Sequence, residues 1–176
     1  SLTVSGFAGV GGSLSSTTSS TATVLTTDAI GFELPSATLD LIIAQDITTP
    51  ANQYIGLEAT LTNAGLINVT DLSLRASGKV QVNQGSGQLD WSTATTSGGG
   101  AVLADLTMDE TVALSASGSV AVDAFGFVVL SGTFTLSKQR LNINDGIIAA
   151  FDADVLSLSL TVSGFAGVGG SLSSTT

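Results

Sequence analysis

Between Val112 and Leu136 the chain sorts its side chains by parity. The even positions run Val112, Leu114, Ala116, Gly118, Val120, Val122, Ala124 and on through Val128, Leu130 and Phe134 to Leu136. The odd positions as far as Asp123 are Ala113, Ser115, Ser117, Ser119, Ala121 and Asp123. Successive side chains of a β-strand point to opposite faces, so a period of two predicts strands with one apolar, buried face and one polar face. The same parity holds from Leu72 to Val82 and again from Leu156 to Leu172, and no comparable stretch has helical periodicity. The predicted class is all-β.

Turn residues punctuate the pattern at TTPAN (48–52), NQGSG (83–87), SGGG (97–100) and NDG (144–146), where Gly, Pro and Asn make unusual dihedrals accessible. Phe125 and Phe127 flank Gly126 on odd positions, which predicts that both faces are covered there. Gly118, Gly126, Gly132 and Gly164 lie on the apolar face, where a missing side chain admits a ring or a second sheet. Phe134, Phe127 and Trp91 are the expected partners.

Composition narrows the function. Hydrophobic residues make up 43% and charged residues only 10%, with Ser and Thr in the place of Lys, Glu and Arg. Fourteen acidic residues face four basic ones, Arg75, Lys79, Lys138 and Arg140, for a net charge of −10. That balance disfavours nucleic acid and an anionic membrane surface as partners. There is no Cys and no His, so disulfides, thiol chemistry and the usual nucleophile–base triads are excluded. The longest apolar runs, such as 147–151, fall far short of the roughly 20 residues of a membrane-spanning helix. With no starting Met and no signal peptide, the stretch reads as a processed or excised piece of a longer chain.

SLTVSGFAGVGGSLSSTT occupies 1–18 and returns, letter for letter, at 159–176, a period of 158 residues. The expected organisation is one full repeat over 1–158, followed by the start of the next over 159–176. Weaker echoes lie inside the period. RASGKVQV (75–82), SASGSVAV (115–122) and LTVSGFAGV (160–168) share a glycine, and DAIGFELPSATLDLIIA (28–44) resembles DAFGFVVLSGTFTLS (123–137). About four sub-units of 30 to 46 residues are expected per period. Two architectures fit: a continuous sheet stack or β-solenoid running through successive copies, or one antiparallel sandwich per copy. Nothing resembling a linker marks the copy junction, which favours continuity.

The GFAGVGG stretch is a poor nucleotide loop, because the GxGxxG spacing would need glycine at position 14, which is Leu. Carboxylate pairs such as Asp109–Glu110 lack the aromatic platform of a sugar cleft, and no enzyme is predicted. Calcium takes oxygen ligands, and Asn142, Asn144, Asp145, Asp152 and Asp154 are its candidates here, with Asp105, Asp109 and Glu110 in a comparable place one sub-unit earlier. The same residues read first as a solvated acidic edge around an Asn-Asp-Gly turn, and no cofactor is required.

Tandem copies of a Ser/Thr/Gly/Val-rich, acidic, Cys-free β unit resemble the repeat regions of giant bacterial surface and secreted proteins, the adhesins. That resemblance, of composition over the whole chain, implies an extracellular or cell-surface location. It also implies a non-enzymatic role as a structural repeat of a fibre or stalk, whose partners are neighbouring copies and other chains of the fibre. The alternative is a glycan- or protein-binding module working through loops near Trp91 or Tyr54.

Overall fold

The computed structural model describes residues 1–16, 18, 22–102 and 106–172. Its long strands are β1 (Leu2–Val10), β4 (Ile30–Gln45), β5 (Gln53–Ile67), β6 (Leu72–Gly85), β7 (Val112–Ala124), β8 (Val128–Ile143) and β9 (Phe151–Ala166). Two short strands, β2 (Ser13–Leu14) and β3 (Val24–Leu25), form a ribbon within the β1–β4 connection. The seven long strands make one sheet in the order β1-β4-β5-β6-β7-β8-β9, and every pairing is antiparallel. The described residues contain no helix, and the all-β class holds. The coils of a parallel β-solenoid are absent from these pairings. So is a second large sheet that would complete a sandwich. The fold is a meander, in which each long strand lies beside the next one along the chain.

Facing is kept across all seven strands in the middle of the sheet, between the register shifts at Val4/Gly6, Leu61/Ala64 and Val112/Leu114. One row runs Leu2, Leu39, Ala59, Val80, Ala116, Leu136, Leu158 through all seven strands. The neighbouring row on the opposite face runs Thr3, Thr38, Thr60, Lys79, Ser117, Thr135, Ser159. One face is therefore aliphatic and the other is paved with hydroxyls, as in the Ser137–Ser157 contact at 2.7 Å. The aliphatic face departs from the expectation of burial. Leu156, Leu158, Leu160 and Val162 are 60–69% exposed, because no second layer covers them.

The region around Gly126 is also a correction. Phe125 and Gly126 take positive φ in the three-residue turn between β7 and β8, and both Phe125 and Phe127 are exposed. Their odd positions signal a turn, not a doubly covered strand. A three-residue turn joins Ala124 to Val128 as cross-strand partners, which is why the alternation passes through the hairpin unbroken. Phe134 does lie over Gly118 as expected, so close that a methyl group there would sit 2.8 Å from the ring.

One part of the hydroxyl face is covered. The segment between β6 and β7 folds back over it and buries Trp91, Leu106 and Met108 against Ile42, Ala44, Tyr54 and Val112. Gly56 lies directly under the indole, and a β-carbon there would stand 2.8 Å from it. Val112 reaches this cluster because the register shifts between Val112 and Leu114, which carries Val112 to the face opposite Leu114. Strict alternation had placed both on one face.

Asn83 holds the fold-back segment in place. Its amide donates to the carbonyls of Leu89 (2.7 Å) and Asp109 (3.0 Å), and its carbonyl accepts from the Trp91 indole (3.0 Å). The residue is 1% exposed. Asn83→Ala strands these groups away from water, and the expected loss is roughly 2 to 4 kcal/mol of unfolding free energy in a denaturant titration. A loss below about 0.5 kcal/mol, typical of surface changes, would show that the segment is not anchored there.

Candidate functional site

The five calcium candidates all lie on the β8–β9 hairpin, where the backbone and neighbouring side chains already engage them. Asn142 and Asp152 are cross-strand partners, with the amide donating to the carboxylate at 2.9 Å. Asp154 faces Arg140 (3.4 Å) and Lys138 (3.9 Å). In the turn, Asn144 accepts from the Gly146 N–H, while Asp145 accepts from Ile147 and Ile148 at 2.9 and 2.8 Å. Those backbone donors hold the Asp145 carboxyl below its ordinary range. The hairpin thus brings Asn142 to Asp152 and leaves Asn144 and Asp145 capping the turn. Among the described residues no group of three or more acidic side chains converges on a common point. Of the earlier acidic group, Asp109 caps its own turn through Thr111, and Asp105 lies outside the described residues.

Among the described residues two acids are buried, Asp40 and Glu58, and Glu58, which the sequence did not single out, has the fuller set of partners. Its carboxylate meets Lys79 Nζ at 2.7 Å, Gln81 Nε2 at 2.8 Å and Thr107 Oγ1 at 2.9 Å. Thr107 belongs to the fold-back segment, so this cluster is a second tie between that segment and the sheet. Burial pushes the Glu58 carboxyl up, and the hydrogen bonds from Lys79, Gln81 and Thr107 outweigh it, so that the group titrates below its usual range. With both oxygens occupied, Glu58 is a structural ion pair and not a free acid or base.

Trp91 is 3% exposed and donates its N–H inward, so it has no face to offer a sugar ring. Tyr54 packs against the same cluster. The hydroxyl face carries a concavity of about 630 Å³ beside Arg75, Ser131 and Ser163, and the aliphatic face a groove of about 470 Å³ lined by Leu2, Val4, Leu39, Leu61, Val80 and Phe134. At its flanks run the outer edges of β1 and β9.

Those two edges contain the repeated segment, and its glycine turn is alike in both copies, although the strand reaches Val10 in the first and stops at Ala166, the counterpart of Ala8, in the second. Gly11 and Gly169, one period apart, have φ of 88° and 86°, a conformation that favours glycine. The ring of Phe7 lies over Gly9 and Gly12, and that of Phe165 over Gly167 and Gly170. The glycines of GFAGVGG serve a ring-over-backbone turn. That turn also ends the strand at Ala166, short of the alternation predicted to Leu172. No protein-family model matches the chain, and neither a curated protein nor a solved structure is significantly similar to it. Among the described residues no helix is long and apolar enough to cross a membrane.

Two outcomes follow from this geometry. Because the hairpin oxygens already have protein partners, millimolar calcium and an excess of chelator should give the same thermal midpoint; a rise of several degrees with calcium would restore the metal reading. For Glu58, a depressed folded-state pKa means stability that is present above the ordinary Glu range and lost as pH falls through the folded value. A Glu58→Gln chain should therefore lose less stability between pH 5 and pH 3 than the parent, and parallel pH profiles would refute the linkage.

Proposed function

We propose that the chain is a non-enzymatic structural repeat of an extracellular bacterial fibre or giant surface adhesin, which forms a long anionic β-rich stalk. The observation that carries this reading is the repeated segment, identical in sequence over 18 residues and alike in local geometry at both ends of one sheet. Such a unit can be strung in series. Supporting it, Glu58 and the hairpin acids are engaged in the ion pair, the cross-strand contact and the turn that hold the sheet together. The negative charge recurs with each copy, since 1–18 carries none, so an array is soluble and self-repelling at low salt. An absence of Cys suits export and folding outside the cell.

A second reading is a protein-binding β module that uses the aliphatic groove, whose lining is almost entirely apolar. The burial of Trp91 weighs against the glycan form of that reading. Purified chains of one, two and four copies separate the two. A stalk gives a maximum dimension in small-angle scattering that grows by a constant increment per copy. Particles that stay compact as copies are added, together with saturable binding of a protein ligand by one copy, would favour the module.

A further inference from the structure

In the 176-residue chain β1 and β9 each use one edge for pairing and leave the other open. The residues Leu2–Ala8 of β1 are the residues Leu160–Ala166 of β9. One sequence thus displays two sets of partners: against β4, Leu2 faces Leu39 and Ala8 faces Phe32; against β8, Leu160 faces Phe134 and Ala166 faces Val128. Building on the tandem-repeat reading above, we propose that in consecutive copies these are the two sides of a single strand. That strand closes one copy on its β8 and opens the next on its β4, so that the array is one unbroken antiparallel sheet.

Three independent features have to agree for one strand to serve both copies, and they do. The first is direction. Six antiparallel steps separate β1 from β9, an even number, so both run the same way. The second is facing. Leu2 and Val4 lie on the aliphatic face beside Leu39 and Ala37, and Leu160 and Val162 lie on that same face beside Phe134 and Gly132. An odd stagger would have put them on the hydroxyl face. The row that begins at Leu2 ends at Leu158, two residues short of Leu160, and a stagger of two preserves the face.

The third is length. β4 continues to Gln45, but its pairing with β1 stops at Leu39. Carried on in the same register, β9 in the role of β1 sets Leu158 against Leu41 and Leu156 against Ile43, aliphatic on aliphatic. It also lays Ser157 and Val155 on the face of Ile42 and Ala44. The ring-over-glycine packing is the same in both settings. What the shared strand adds is pairing at Gly167, Val168, Ser171 and Leu172, whose counterparts Gly9, Val10, Ser13 and Leu14 are paired in the first copy. Each copy then contributes six strands, and at about 4.8 Å per strand the sheet advances about 29 Å per copy.

Amide hydrogen exchange by NMR on two chains decides the matter: residues 1–176, and the same chain extended by a second 19–176. An edge strand protects alternate amides, because alternate N–H groups point to solvent. In the 176-residue chain the amides of Leu2–Ala8 and Leu160–Ala166 are expected to alternate between slow and fast. In the two-copy chain the middle segment is expected to be slow throughout, with the formerly fast amides slowed at least about a hundredfold. Alternation that persists in the middle segment overturns the shared strand. If it persists while the particle still lengthens with each copy, the shared strand falls and the stalk stands as separate units in series. If the particle does not lengthen, the stalk reading itself falls.

Discussion

The fold rests on one constraint, the preservation of side-chain parity across six successive strand pairings. A slip of one residue in any of them would invert every later strand and mix Leu and Val with Ser and Thr on both faces. The turns are built to prevent that. The β7–β8 turn has three residues and pairs Ala124 with Val128; the Asp145 and Asn144 side chains fix the β8–β9 hairpin so that Asn142 meets Asp152. The register shifts in three places, between Val4 and Gly6, between Leu61 and Ala64 and between Val112 and Leu114, and the last of these delivers Val112 to the Trp91 cluster.

Much of this was legible in the sequence, because parity is a local property. The class, most strand positions and three of the four predicted turns follow from local signals, as does Phe134 lying over Gly118; the fourth, NQGSG, falls largely within β6, which runs on to Gly85. What the sequence hid were the features that depend on chain segments meeting at a distance. Asn83 reads as a turn residue, and only the return of the 86–111 segment converts it into a buried anchor for the Trp91 indole. Glu58 is a lone acid in a strand until Lys79, Gln81 and Thr107 converge on it. Phe125 and Phe127 misled because a turn of three residues leaves the alternation around it intact. Acidic clustering on the hairpin suggested ligands, whereas the hydrogen bonds show turn caps and cross-strand pairs.

A sheet with one bare aliphatic face and two unpaired edges is an unusual arrangement for a free-standing domain, since open edges and apolar surface both invite association. The hydroxyl rows, the net charge and the charged group of Lys138, Arg140, Asp152 and Asp154 at one end of β8 and β9 temper that tendency. The identity of the two edge strands gives it a direction: each edge is suited to what the other already holds. Length is then obtained by adding strands, with no need of a new core for each unit.

The four basic residues have one more consequence. Arg75 and Lys79 lie in β6, and Lys138 and Arg140 lie in β8, both interior strands with a neighbour on either side. A protease that cuts after Lys or Arg finds no target in any connecting loop of this chain. Because such enzymes bind their substrates as unpaired extended backbone, β6 or β8 must first leave the sheet on both sides. Susceptibility to that class of protease is thus governed by the opening of the sheet interior, and the loops, ordinarily the first places to be nicked, contribute nothing to it.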